Sequence, residues 1–179
     1  AEAQAGRSSV ATSHAMNMGG IGVSGTSAAN IVAAEADLLI AVGTRLQDFT
    51  TGSWGLFRNP DIKILALNVQ PFDAAKHGSI ALVADARVGL AALDEGLGTW
   101  KAEPEWTSRA MEHRVVWHDI SARNQALPVE PAGLPTDAQV IGAVQRVALP
   151  TDIVVCAAGG LPAELQKHWR AEQPGGYHM

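Results

Sequence analysis

Positive charge, cysteine and long apolar runs are all scarce in this sequence, and each shortage removes a class of function. Thirteen Lys and Arg against 18 Asp and Glu leave a formal net charge of −5 over 179 residues. The basic residues form no stripe, and a nucleic-acid surface needs clustered positive charge, so no nucleic-acid partner is expected. No apolar run approaches the ~20 residues that span a bilayer. No charged-then-apolar signal segment opens the chain, so no membrane partner is expected either. The single cysteine, Cys156, excludes an internal disulfide and makes a reducing cytoplasm the expected compartment. It ends the apolar run DIVVC and reads as a small buried hydrophobe, since a nucleophile would need a histidine beside it.

What is present is an ordinary globular composition, 47% hydrophobic and 17% charged, with enough length for an apolar core. Three apolar runs read as strands buried on both faces: DLLIAV at 37–42, IKILALNV at 62–69 and IALVA at 80–84. Helical signals separate them. The Ala-rich stretch 26–36 has Ser24 or Thr26 to cap it, and Asp85 can cap 86–97, where Val88, Leu90, Leu93 and Leu97 recur at helical spacing. Strands alternating with helices give an α/β fold, mainly a parallel sheet with helices on both faces.

After Gly98 the pattern changes to one long amphipathic helix over 104–125, with Pro104 in its first turn and Trp106, Ala110, Met111, Val115, Trp117 and Ile120 along one stripe. LPVEPAGLP at 127–135 has the proline content of a linker. Beyond it, Thr136 or Asp137 caps a helix through 147, a strand spans 152–156, and the turn AAGG leads into a helix at about 162–171. The expected organisation is therefore a domain over 1–126, a linker over 127–135 and the opening of a second domain over 136–179, too small to enclose a core of its own. Both ends are expected to lie inside a longer polypeptide. Ala1 falls within AEAQA, which reads as the tail of a strand, and Met179 follows the loop signal PGGY.

GIGVSG at 20–25 fits the glycine spacing of a dinucleotide loop. That motif works when a strand runs directly into it, because the glycines then turn the chain so that a helix N-terminus faces the pyrophosphate. Here ATSHAMNMG precedes it and is not a strand, and the strand after it ends AVGTR, offering Arg45 with Asp48 late and in a loop, rather than an acidic ribose ligand. A glycine loop packed against a helix is the favoured reading. His113 and His118 are five apart and do not share a helix face as a metal pair would, so they read as solvated. His14, His77 and His178 stand isolated in loops, and Glu112 and Asp119 belong to a polar helix face. Arg45, at a strand's C-terminal end, is expected either to touch an anion or to form a structural ion pair. Trp54 reads as burial at the domain edge or as part of an interface. No catalytic or metal-ligating residue is expected within the chain.

GGIGVSGTSAAN, EADLLIAVGTRLQDFTTGSW, KILALNVQPFDAAKH and LVADARVGLAAL, in that order, resemble the central domain of thiamine-diphosphate enzymes of the acetolactate-synthase type. QDFTTGSW, LNVQPFDA and VVCAAGGLPAELQKHWRAEQPGGYHM are similar to one subgroup, the trihydroxycyclohexane-1,2-dione hydrolases of myo-inositol catabolism. The resemblance implies thiamine diphosphate and Mg²⁺ as cofactors of the intact enzyme, a small cyclic diketone as substrate, and a homodimer or homotetramer. It implies hydrolytic cleavage of a carbon–carbon bond with the cofactor as electron sink, and a central domain that serves as scaffold. Residues 1–179 alone would be inactive, and a missing first strand would leave a sheet edge open. Flavin-holding relatives place acidic residues where this chain has Asn68 and Gln70, which argues against FAD. Ala158, Gly159, Gly160 and Leu161 fall where the family's third domain meets the diphosphate, although many relatives have Gln-His at the last two positions. The readings left open are a nucleotide- or flavin-binding module, another thiamine-diphosphate enzyme such as acetolactate synthase, and a purely structural oligomerisation domain.

Overall fold

The computed structural model describes residues 1–127 and 133–179; the middle of the proline-rich segment lies outside them. A three-stranded parallel sheet forms the centre of the first part, in the order β1 (Leu38–Val42), β2 (Lys63–Asn68), β3 (Ile80–Val83). Its register aligns Leu39 with Ile64 and Leu67 with Leu82. These are the three apolar runs of the sequence, shortened at their polar ends.

Only the central strand β2 is buried on both faces, with Ile64 and Ala66 on one side and Leu67 on the other; β1 and β3 are not. Leu39 and Ala41 of β1 turn toward Leu46, Ile64, Ala66 and Trp54, while Leu38, Ile40 and Val42 are exposed. Alternation along a strand requires this when only one face is covered. β1 is an edge strand, paired among the described residues only with β2.

Helix α1 (Ser27–Glu35) begins on a Thr26 cap whose hydroxyl oxygen accepts from the Ala29 amide at 3.0 Å and donates to the Met18 carbonyl. Thr26, not Ser24, therefore fills the cap. The short helices α2 (Asp48–Thr51) and α3 (Pro71–Ala74) lie beyond the ends of β1 and β2, so Asp48 starts a helical turn rather than lying in a loop. Helix α4 (Ala86–Leu97) is capped by Asp85, which accepts from the amides of Arg87 and Val88. Gly89 lets α4 lie directly on Leu67, because a Cβ there would overlap that side chain.

The long helix α5 (Pro104–Asn124) packs on α1. Ala28, Ala29 and Ala33 of α1 meet Ala110 of α5, with Met18 and Ile21 filling the seam. Small side chains on both helices permit this close approach. Residues 1–5 do not continue a strand: Glu2 makes one bridge with Gly20, and Gln4–Gly6 turn as a 3₁₀ segment.

The second part holds α6 (Asp137–Val147), β4 (Val154–Val155), α7 (Gly160–His168) and β5 (Tyr177–His178). Thr136 and Gln139 form a reciprocal capping box at the start of α6. β4 is shorter than its apolar run suggests, and it pairs in parallel with β5, which no sequence pattern announced. Contrary to expectation this part gathers a small core, with Ile141, Leu165, Trp169, Ala171 and Tyr177 buried together. Cys156 is half-buried at its margin, with its Sγ donating to the Tyr177 hydroxyl at 3.3 Å.

Candidate functional site

The glycine loop before α1 has most of its amides already committed. Five amides between Ile21 and Thr26 are committed: Ile21 to the Glu2 carbonyl, Gly22 to Asn30 Oδ1, Val23 to the Phe49 carbonyl, Gly25 to the Gly22 carbonyl and Thr26 to the Gly20 carbonyl. Asn30 closes the loop from the helix side by donating to the Gly22 carbonyl at 3.0 Å. Gly22 has φ +111°, and a Cβ there would fall on the Phe49 carbonyl oxygen. A Cβ on Gly20 would lie 3.0 Å from Gln166 Nε2. The glycines thus bring backbone against backbone, and they seat α7 through Gln166, whose Oε1 accepts from Ser24 Oγ. Free amides are what a phosphate needs from such a loop, and most of those here have intramolecular acceptors.

Other sequence candidates also resolve. Arg45 reaches only Gln47 Oε1, at 3.4 Å, and forms no ion pair among the described residues. Asn68 is buried and ties two strand ends together, donating to the Thr44 carbonyl and accepting from the Gln70 amide. Trp54 packs at the sheet margin on Phe57 and on His77, whose ring centroid is 4.1 Å away. His113 and His118 are half-buried rather than solvated. Burial lowers the His118 pKa, and the nearby Arg114 and Arg170 lower it further. Among the described residues no group of three or more His, Cys, Asp or Glu converges as a metal site.

The turn at Ala158, Gly159, Gly160 and Leu161 differs from the glycine loop in one decisive respect: it is open. It follows β4, all four residues are exposed, and Gly159 takes φ +139° as the N-cap of α7. No side chain caps this helix, and the amides of Gly160 and Leu161 have no acceptor among the described residues. A Cβ on Gly160 would meet nothing within 4 Å. Free amides at the head of a nine-residue helix, reached without obstruction, suit the diphosphate end of a cofactor.

Residues that fix α7 in place were invisible as a group in the sequence. Arg7, 4% exposed, pairs with Glu2 and donates to the carbonyls of Gln166 at 3.1 Å and Trp169 at 2.9 Å. Buried His168 shares a hydrogen bond of 2.8 Å between Nδ1 and Ser121 Oγ on α5, stacks on Trp117, and places Nε2 3.4 Å from Glu164. Ser121 Oγ also accepts from Gln125 Nε2. A neutral imidazole with its proton on Nε2 satisfies every one of these contacts, and burial lowers the His168 pKa to favour it. Spacing held one clue, since Leu165 and His168 fall on one face of α7 and Trp169 follows directly as its C-cap.

Residues 1–93 match the family described as thiamine pyrophosphate enzyme, central domain. The chain belongs to that family. Its parallel sheet with flanking helices agrees with the α/β architecture expected of such a domain. Across 99% of the chain it is also similar to proteins named 3D-(3,5/4)-trihydroxycyclohexane-1,2-dione hydrolase: 35% identical in Bacillus thuringiensis (strain Al Hakam), 36% in Bacillus cereus (strain AH820) and 34% in Clostridium perfringens (strain ATCC 13124). The chain spans 31% of the length of each of these curated relatives. No helix among the described residues is long and apolar enough to cross a membrane.

Proposed function

We propose that this thiamine pyrophosphate enzyme segment is the scaffold, and one wall of the diphosphate site, of a hydrolase that opens a carbon–carbon bond in a small cyclic 1,2-diketone. The observation that supports it is the open turn at Ala158–Leu161, the place where free amides head a helix beside a strand end. The names of the relatives supply the substrate class. In this reading 1–126 form the central domain, 127–135 the linker and 136–179 the start of the diphosphate-binding domain.

Thiamine diphosphate, when bound, supplies the electron sink for the bond cleavage. The chain's own part is positional. Gly160 and Leu161 would hold the diphosphate through their backbone N–H groups, Gly159 makes the turn that presents them, and the α7 dipole would favour the negative charge. Arg7, Gln166 and His168 hold the other end of α7 against the central domain, so the amides present a fixed geometry. Magnesium takes its protein ligands from outside residues 1–179, and the working assembly is a cytoplasmic homodimer or homotetramer. A nucleotide- or flavin-carrying role is disfavoured by the mostly committed amides of the glycine loop and by Asn68 in place of an acid.

The test is a turnover assay on the intact polypeptide with the cyclic diketone. Cofactor-dependent ring opening to an open-chain acid is expected, with none from residues 1–179 alone. Turnover by the isolated segment, or ring opening that ignores added thiamine diphosphate and Mg²⁺, would refute the reading.

A further inference from the structure

The glycine motif has the spacing of a nucleotide loop, and its three glycines do two different jobs. Gly22 and Gly25 shape the loop itself. A Cβ on Gly22 would fall on the Phe49 carbonyl oxygen, and one on Gly25 would lie 2.7 Å from both the Gly20 carbonyl oxygen and the Gly22 nitrogen. Gly20 faces a side chain instead. A Cβ there would lie 3.0 Å from Nε2 and 3.1 Å from Cγ of Gln166 on α7. Ser24 holds the same side chain by donating from Oγ to Gln166 Oε1. Gln166 is 1% exposed and Ser24 3% exposed. The loop therefore receives a buried amide side chain from the second part of the chain.

The position of that side chain bears on the other end of α7. Gln166 is fixed through its main chain as well, since its carbonyl accepts from Arg7 Nε at 3.1 Å. It lies six residues from Gly160 in one continuous helix, about 9 Å along the axis. A single short helix moves as a unit, so a shift at its last turn reaches its first. Close-packed interiors answer an added methyl with such shifts, because neighbouring side chains have little room to give.

We propose that the glycine loop is a socket for Gln166 that sets the position of α7, and that Gly20 and Ser24 are positioning residues for the turn at Ala158–Leu161. The proposal rests on the reading of that turn as the diphosphate site. It ties the central domain to cofactor affinity without any contact between the loop and the cofactor. In Gly20→Ala the new Cβ overlaps Gln166, and the unliganded protein relieves the overlap by shifting α7. Binding the diphosphate draws the helix back and restores the overlap, so the strain is read as lost affinity.

The experiment is calorimetric titration of the intact polypeptide with thiamine diphosphate at saturating Mg²⁺. Gly20→Ala is expected to bind about tenfold more weakly than the wild type. Gly20→Ala/Gln166→Ala removes the atoms that the new Cβ meets, and should return to within about threefold of the wild type. Asp85→Ala removes the cap of α4, far from α7, and should be destabilised yet bind as the wild type does. A merely structural role would make Gly20→Ala behave like Asp85→Ala. Gly20 does not sit at positive φ, and one overpacked methyl is small against the stability of a domain, so the variant should fold; its far-UV spectrum checks this. Equal affinity in Gly20→Ala and the wild type, or a double variant as weak as Gly20→Ala, overturns the socket alone. Failure of the wild type to take up thiamine diphosphate overturns the reading of the turn, and the socket's role falls with it.

Discussion

Replacing Arg7 by Met should unlock the second part of the chain from the first, and the structure sets the size of the effect. The substitution keeps most of the side-chain volume but removes the guanidinium. Glu2, 7% exposed, then keeps only the Val10 amide at 3.0 Å and the Asn17 amide at 3.4 Å. The carbonyls of Gln166 and Trp169 lose their charged donor as well. Removing one partner of a buried ion pair typically costs about 3–5 kcal/mol, because the remaining charge stays buried. We take that range as the whole effect, since water can reach the freed carbonyls once α7 loosens. Against a domain stability of roughly 5–15 kcal/mol this is a large share.

In urea, with a slope of about 2 kcal/mol per molar, the midpoint should fall by about 2 M. Tryptophan fluorescence is the natural probe, because Trp117 and Trp169 both sit at the junction. Glu2→Gln/Arg7→Met should recover part of the loss, since the stranded carboxylate is gone. A loss below about 1 kcal/mol, the range of an exposed pair, would refute the reasoning. So would a double variant no more stable than the single one.

Gly22→Ala should lower stability by at least about 1–3 kcal/mol, read from the same urea midpoint, because its φ of +111° and the Phe49 carbonyl both exclude a Cβ. Thr136→Ala removes the capping box of α6 and should cost about 1 kcal/mol, checked by thermal unfolding. Acid should destabilise the protein earlier than its carboxylates alone require. His77, His118 and His168 all have pKa values lowered from 6.5, first by burial. The unfolded chain therefore takes those protons first, so stability is full above 6.5 and declines as pH falls from there through the folded values. Urea midpoints at about pH 7.5 and about pH 5.5 measure the decline, and His168→Gln should flatten it.

The elements of the fold were legible because their causes are local. Thr26, Asp85, Thr136 and Pro104 mark helix starts through groups within a turn of themselves, and three apolar runs gave three paired strands. The weld between the two parts was not legible, because its causes are distant in the chain. Arg7 meets carbonyls at positions 166 and 169, and Ser121 meets His168, across separations of 159, 162 and 47 residues. No periodicity reports such pairs. β5 escaped for a related reason: two residues after a Pro-Gly-Gly turn carry no alternation, and only the edge of β4 makes them a strand. The glycine loop is an intermediate case. Its spacing is that of a nucleotide motif, and the missing strand before it already favoured a packed loop, but the Glu2, Asn30 and Phe49 groups that consume its amides come from distant or unpatterned positions. For the turn at 158–161 the resemblance named the residues, while openness and free amides came only from the three-dimensional arrangement.

Amide hydrogen exchange on the intact polypeptide, with and without thiamine diphosphate and Mg²⁺, sets the two glycine turns against each other in one measurement. New protection is expected at Gly160 and Leu161, with exchange over 20–26 unchanged. Protection appearing at 20–26 while 158–161 exchange as freely as before would contradict the account.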